Sequence, residues 1–447
     1  MKNSLRKWLA RLGILIIIIA GIFVSIVGRI DRTPLAKQDF YTRMMSKLAT
    51  EKPAVYPALQ PLSTAWSKVN ITPSYPMPMA GYRSRPTFES VHDSLYARVI
   101  VIDNGNSEAI LISADLLIFP PALKAELEIQ LGSTTKPSFI FYSATHTHNS
   151  VGGWHPAWGA QFAVGDFHEV WLKSTASAIA NEIIKVRTQF KPSQAWYWQT
   201  DASPYAANRL KSGSPYDGML RGIKLSRADS THAFLVTFSA HATSISSKST
   251  ALSGDYPAAL IQSIESSKNN FAMFMAGMVG SHRLDGITEP EFDGADQAGK
   301  ILAAKVLHPS MQEKLITSEL KTMHIPIEYG DAQLRLNKNH KLRNWFFSMA
   351  LEPLQGELTY LQVGNVLLLG TPCDFSGEIF VTHNLEAEAR RYNKHLIITS
   401  FNGNYTGYIT EDAHYETLLR EEVTTMNWVG PYFGQYYSDM IKKVVAK

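Results

Sequence analysis

The chain has 447 residues, 45% of them hydrophobic and 18% charged, a globular composition with length enough for a large core. Its net charge of +4 resides in Lys2, Arg6, Lys7 and Arg11, because the first eleven residues carry no acid and the rest of the chain is balanced. No basic block elsewhere points to a nucleic-acid partner, and a single cysteine, Cys373, rules out an internal disulfide or a zinc site of paired cysteines.

An uncharged run from Leu12 to Gly28 follows the basic flank of residues 1–11. As a helix it spans about 25 Å, slightly short of a ~30 Å hydrocarbon core. Trp8 and Leu9 extend it, and the basic side chains can snorkel to the interface. The favoured reading is an uncleaved transmembrane signal anchor over 12–28. The rival is a cleaved signal peptide, for which Ser25-Ile-Val-Gly28 is a weak site. Either way the basic flank stays inside and the remainder is exported, membrane-anchored or, after cleavage, secreted. Residues 29–66 read as a polar tether with some helix from Phe40 to Ala49. Residues 67–447 read as one folded domain, with no low-complexity linker and no internal repeat.

Ile71 to Tyr82 holds three prolines and reads as an ordered extended loop. Ala97–Asp103 and Ala109–Asp115 are β-branched runs joined by Asn104-Gly-Asn-Ser107, a hairpin signal. A helix is expected from Pro121 to Gln130, a buried strand from Phe139 to Ala144, and an amphipathic helix from Phe167 to Val186. Ala195–Trp198 is a further strand, and Ala207-Asn-Arg209 lies in a loop. Phe234–Ala240 and Phe271–Ala276 are strands. Asp255 and Pro257 suit the start of a helix between them. A helix over 294–308, a strand over 321–329, a hairpin over 358–370, a helix over 377–391, a strand over 395–400 and a last helix over 432–445 complete the chain. Strands alternating with helices predict an α/β or mixed α+β architecture: a central mixed β-sheet core flanked by helices, behind the N-terminal transmembrane helix.

Five of these strands run into a polar or Gly-rich loop, at His146, His241, Gly277, Asp374 and Tyr405. Strand ends are where sheets present functional groups. In Ser143-Ala-Thr-His-Thr-His148, an extended backbone would point His146 and His148 to the same side. That arrangement suits a metal ligand beside a second ligand or a proton carrier. A catalytic zinc site needs about three protein ligands and an open position. His146 and His241 are the natural nitrogen donors, and Asp374 is a carboxylate at a third strand end. Each has a plainer reading: a hydrogen-bonded core histidine, a helix-capping aspartate, and, for Tyr405 and Tyr408, packing aromatics.

Taken in order, these runs resemble the neutral, non-lysosomal ceramidases, specifically their N-terminal catalytic domain. The likeness is strongest at Ser143-Ala-Thr-His-Thr-His148. It continues at His241-Ala-Thr-Ser244, Ser253-Gly-Asp255, Pro372-Cys-Asp-Phe375 and Asn404-Tyr-Thr-Gly-Tyr-Ile-Thr410. It covers about residues 70–440, and the immunoglobulin-like domain common at the C-terminus of that family is expected to be absent. The resemblance implies a zinc-dependent amide hydrolase, one Zn2+ per chain, that splits N-acyl sphingosine into fatty acid and sphingoid base. By position it implies His146, His241, Asp374 and Tyr408 as metal ligands, with Tyr405 as the alternative tyrosine. It implies His148 as a substrate-contacting residue.

Three positions depart from the family pattern. Asp374 stands where the family has a glutamate ligand. A second family tyrosine falls at Arg420. The active-centre serine of the family's Gly-Asp-Val-Ser-Pro-Asn run falls at Gly280, with Ser281 one place later. The expected chemistry is therefore attack of zinc-bound hydroxide on the amide carbonyl. The backbone N–H of Gly280 or Ser281 would steady the oxyanion, and His148 would hold the carbonyl or pass a proton to the leaving amine. Trp154, Trp158 and Phe162 suit an acyl chain of a lipid substrate. The alternatives are a non-catalytic lipid-binding protein on the same scaffold and an amidase for another N-acyl substrate. The sequence leaves the oligomeric state open.

Overall fold

The computed structural model describes residues 2–83, 85–132, 136–315 and 317–447. The apolar N-terminal run forms helix α1 (Lys2–Ile26). Its Leu9, Ile14, Leu15, Ile17 and Ile19 are each more than half exposed, and the stretch Leu5–Ile26 is long and apolar enough to cross a membrane.

The residues expected as a tether are instead built into the fold. Asp39–Thr50 is helix α2, and its Phe40, Met44 and Leu48, one turn apart, are buried. They pack on the C-terminal helix Phe433–Val445: Phe40 stacks 5.6 Å from Phe433, and the Tyr41 hydroxyl donates to Asp439 at 2.9 Å. Ala54–Tyr56 and Ser63–Asn70 are strands of two different sheets. The polar residues that read as a linker include the solvent face of an amphipathic helix.

Among the described residues, nine strands form the main sheet. From edge to edge run Asn270–Ala276, His232–Phe238, Met219–Arg227, Lys191–Asp201, Ser63–Asn70, Tyr96–Asp103, Glu108–Ala114 and Ser138–Ala144, with Met311–Lys314 beside Lys191–Asp201. Pairing is antiparallel except at the two edges, where 232–238 lies parallel to 270–276 and 108–114 parallel to 138–144. Parallel neighbours need a crossover, and helices Asp255–Glu265 and Pro121–Leu131 supply one each. Strand pairing between the halves is short, Lys191↔Thr64 and Pro192↔Ser63, followed by the Ser193 N–H donating to Leu62 O at 2.7 Å. There the sheet folds back, so that strand 270–276 lies against strands 96–103, 108–114 and 138–144. Arg98 Nη1 donates across this gap to Ala272 O at 3.0 Å.

A second sheet runs Ala54–Tyr56, Leu320–Pro326, Glu357–Val363, Val366–Gly370, His395–Thr399, parallel only in its last pair. Leu111, Phe141, Met273, Leu361 and Leu368 are buried in one cluster between the two sheets. Each such side chain contributes about 1.5–3 kcal/mol on burial. The mixed α/β architecture is the one the sequence predicts. The helix expected over 377–391 is two helices, Gly377–Thr382 and Leu385–Arg391, broken where Asn384 takes a φ of +53°, a conformation asparagine tolerates.

The C-terminal ends of three parallel edge strands are tied to one another. Ser143 Oγ donates to Ser400 O at 3.2 Å, the Ser400 N–H to Ala276 O at 3.0 Å, and Ser400 Oγ to Gly277 O at 2.7 Å. The loops that follow strands 138–144, 270–276 and 395–399 therefore meet at one end of the molecule.

Candidate metal centre

His146 and His148 converge, but not by the alternation of an extended strand. His146 has a φ of +63°, so the chain turns left-handed as soon as the strand ends. Such a residue costs roughly 1–3 kcal/mol and persists only where its surroundings hold it. Here the His146 N–H donates to Leu116 O at 3.1 Å, and its ring stacks 4.3 Å from Phe401, itself at φ +65°. A bridge between Thr147 and Ala242 pins this loop to the one carrying His241. Asp255 braces the second loop: its Oδ2 accepts the Ser244 and Ile245 N–H groups at 3.0 and 3.3 Å, while its Oδ1 accepts the Tyr256 N–H at 2.6 Å in the first turn of its own helix. Asp374 and Tyr408 sit side by side because the two-residue strands Asp374–Phe375 and Tyr408–Ile409 pair in parallel with those residues in register.

These loops bring the donor atoms together. Nδ1 of His146 donates to Leu117 O at 2.6 Å, and Nδ1 of His241 to Val279 O at 2.8 Å. Each ring is thereby fixed in the tautomer whose Nε2 lone pair faces inward. His148 Nε2 lies 3.2 Å from His146 Nε2. Asp374 Oδ1 lies 3.4 Å from His146 Nε2 and 3.6 Å from His241 Nε2, and the Tyr408 hydroxyl lies 3.0 Å from His241 Nε2. Tyr405 donates to the other carboxylate oxygen, Asp374 Oδ2, at 2.7 Å. Of the two tyrosines, Tyr408 faces the histidines, and Tyr405 orients the aspartate.

A cation fits this cluster. Asp374 Oδ1 is buried and receives no hydrogen bond, although native buried polar atoms are nearly always paired. Two lone-pair nitrogens and an undonated carboxylate oxygen at 3.4 to 3.6 Å repel one another unless a positive charge lies between them. Donors around a four-coordinate zinc at ~2.0–2.1 Å stand about 3.3–3.4 Å apart. His146, His148 and His241 can also act as a three-histidine set, their donor atoms lying within 4.8 Å of one another, so His148 is placed to bind a metal as well as to touch substrate.

With no cation present, burial dominates the protonation of the site. It pushes His146 down to about 3, and, helped by the Arg209 and neighbouring imidazole charges, holds His148 and His241 well below the usual imidazole range. It raises Asp374 to about 7, against the Tyr405 hydrogen bond and the Arg209 charge. The imidazoles thus give the metal-free protein stability that is full above an unfolded pKa of ~6.5 and falls by about 1.4 kcal/mol each per pH unit below it. Asp374 acts oppositely: its contribution is full at low pH and is lost as pH rises through about 7. Three groups outweigh one. The urea midpoint of chelator-treated protein is expected to be lower at pH 5.5 than at pH 7.5.

A cavity of about 350 Å3 has His146, His148, Asp374, Tyr405 and Tyr408 in its lining, within the size range of small-molecule sites. Its remaining wall is largely apolar, including Leu117, Ile118, Trp154, Val164, Met426 and Trp428. Of the three aromatics singled out in the sequence, Trp154 is in this wall. Trp158 and Phe162 are not in the lining and are 48% and 75% exposed.

Gly280 and Ser281 are not among the residues that line the cavity. The Gly280 N–H donates to Phe375 O at 2.9 Å, so that amide already has its acceptor. Ser281 Oγ is buried among Ser376 Oγ at 2.7 Å, His282 Nδ1 at 3.0 Å and the Glu378 N–H at 3.2 Å. A Cβ at Gly280 would stand 2.4 Å from Asp374 O. The glycine is what lets the Asp374 backbone approach. Arg420 is not in the cavity lining and bonds Glu422 at 3.5 Å. Arg209 was read only as part of a loop, yet its Nη2 donates to the Tyr408 hydroxyl at 3.3 Å and its guanidinium pairs with Glu422 at 2.7 Å. The one signal for it in the sequence was a polar Asn-Arg pair in a loop, which any solvated turn can carry.

Fold and donor set together define a mixed α/β protein with a buried candidate metal centre at the base of an apolar cavity. A family profile described as neutral/alkaline non-lysosomal ceramidase, N-terminal, matches residues 66–300, and the chain belongs to that family. Its structure is similar to that of neutral ceramidase from Pseudomonas aeruginosa, with a TM-score of 0.74 and 16% identity over 87% of this chain and 75% of that one. It is also similar to a ceramidase complexed with C2, at a TM-score of 0.72 with the same identity and coverage. At that identity the likeness shows the fold.

Proposed function

We infer that the protein is a zinc-dependent amide hydrolase that cleaves the N-acyl bond of ceramide or a closely related N-acyl lipid. The observation that carries this reading is the convergence of His146, His241, Asp374 and Tyr408, three of which (His146, Asp374 and Tyr408) line an apolar cavity, in a chain of the ceramidase family. Those four side chains would hold one zinc ion. Bound there, zinc supplies a nucleophile from water at neutral pH and polarises the amide carbonyl.

The chain's own residues do the rest. Leu117 O and Val279 O fix the His146 and His241 tautomers, and Tyr405 fixes the Asp374 carboxylate. Arg209 positions the Tyr408 hydroxyl. His148 lines the cavity beside His146, and burial holds it well below the usual imidazole range, so as a neutral imidazole it would hold the carbonyl, or take up the proton released by the attacking water and pass it to the leaving amine. Apolar walls exclude water from the acyl chain, which strengthens every electrostatic contact at the cavity floor. No serine nucleophile is assigned, because Ser281 is committed elsewhere and Gly280 has no side chain. Helix α1 would anchor the protein, its basic flank on the cytoplasmic side and the remainder exported.

A panel of N-acyl substrates, each assayed with and without chelator, tests this reading. Release of fatty acid from ceramide that chelator abolishes is the expected result. Turnover confined to N-acyl amino acids would move the protein to another amidase class, and binding of ceramide without turnover would make it a lipid-binding protein.

A further inference from the structure

Helix α1 is joined to the folded body without slack. Val27–Arg29 directly continues it and pairs with His340–Leu342. The Arg343 N–H donates to Ile26 O at 2.7 Å, Arg343 Nε donates to Val24 O and Val27 O at 3.3 and 3.1 Å, and Trp345 Nε1 donates to Ser25 O at 2.9 Å. The last turn of the apolar helix is therefore clamped to the start of helix α4 (Asn344–Leu351). Helix α3 (Trp158–Val164) packs on α4: Trp158 Nε1 donates to Met349 O at 3.0 Å, and Gly159 lies so close that a Cβ would stand 2.6 Å from Ala350 O.

These two helices also wall the cavity, through Gly159, Ala160, Ala163 and Val164 of α3 and Leu351 of α4. On their outer side they expose large apolar groups: Phe162 at 75%, Met349 at 53%, Trp345 at 52% and Trp158 at 48%. Arg29 and Arg343, both exposed, stand where α1 ends. Tryptophans with arginines beside the end of an apolar helix have the composition of a membrane–water interface.

We propose that the outer faces of α3 and α4 are seated in the headgroup layer of the same bilayer that α1 crosses, so that the cavity opens onto the membrane and an N-acyl lipid reaches it sideways from the leaflet. The bilayer is the occupant because the clamp at Ser25, Ile26 and Val27 leaves α4 no distance to stand off from the span. The substrate route rests on the function inferred above; the seating does not, and it is measured without turnover.

The test uses the full chain in phosphatidylcholine–phosphatidylglycerol vesicles. The single native cysteine, Cys373, is buried, so Phe162→Cys, Met349→Cys and Ile184→Cys each give one reactive surface thiol for an environment-sensitive fluorophore. Ile184 is the control. It precedes Arg187, which bonds Ser138 at the opposite end of strand 138–144 from His146. Labels at 162 and 349 are expected to blue-shift, to lose emission to lipid-borne nitroxide and to resist aqueous iodide, while the label at 184 is quenched by iodide alone. Iodide quenching at 162 and 349 equal to that at 184 overturns the proposal. So does protection from both quenchers, which would put a second copy of the chain on this face. Both substitutions replace exposed side chains, and the two positions test one surface independently.

Discussion

His146→Ala and His241→Ala proteins are expected to lose the proposed amide hydrolysis and zinc binding together. Each ring offers its Nε2 to the cluster, because its Nδ1 is tied to a backbone carbonyl. Loss of a partner outside the coordination shell typically lowers metal affinity ~10–100-fold; loss of a ligand lowers it further. Both histidines are buried, so each truncation also leaves a cavity; in His241→Ala the Val279 carbonyl keeps the His282 N–H at 2.9 Å, but in His146→Ala the Leu117 carbonyl is left without its donor. That adds about 1–3 kcal/mol of destabilisation. Circular dichroism of the variants separates a folded, metal-free protein from an unfolded one. A folded His241→Ala protein with parental turnover would remove the centre from the mechanism.

The second large effect is expected at Asp374, and it has an unusual sign. Asp374→Asn removes the one carboxylate of the cluster among the described residues and is expected to abolish the proposed metal binding and turnover. Yet an amide at this position can donate to a histidine Nε2 where the carboxylate Oδ1 finds no donor. It also removes a buried group whose charge burial disfavours, as the rise to about 7 records. The metal-free variant is therefore expected to match or exceed the urea midpoint of the metal-free parent at pH 7.5. Asp374→Glu restores the family's ligand type and is expected to keep the metal. Parental zinc content in Asp374→Asn, or none in Asp374→Glu, contradicts this assignment.

Much of this site was legible from strand ends. His146, His241 and Asp374 each follow an apolar run, and such runs can be read without knowing which sheet they enter. The path between them was not legible. The pairing of His146 with His148 rests on a left-handed turn at a non-glycine residue, which propensity disfavours and only the packing of Phe401 and Leu117 sustains. The choice of Tyr408 over Tyr405 follows from a two-residue parallel pairing with Asp374–Phe375, too short to leave a periodic signal. Gly280 and Ser281 aligned with an active-centre run, but their surroundings come from Asp374, Phe375 and Ser376, about a hundred residues further on. Arg209 was hidden for the same reason, its partners being Tyr408 and Glu422.

Residues 29–66 teach a related lesson. Their polar composition read as a tether, whereas the three apolar residues of α2 on one face were enough to bring the segment into the core.

The central claim is that residues far apart in the chain hold one zinc ion that the reaction requires. Elemental analysis of the purified full-length protein, paired with a ceramide hydrolysis assay before chelation, after it and after zinc is restored, tests that claim most directly. One zinc per chain is expected, with activity lost on chelation and regained on restoring the metal. Undiminished hydrolysis by protein that contains no zinc would contradict it.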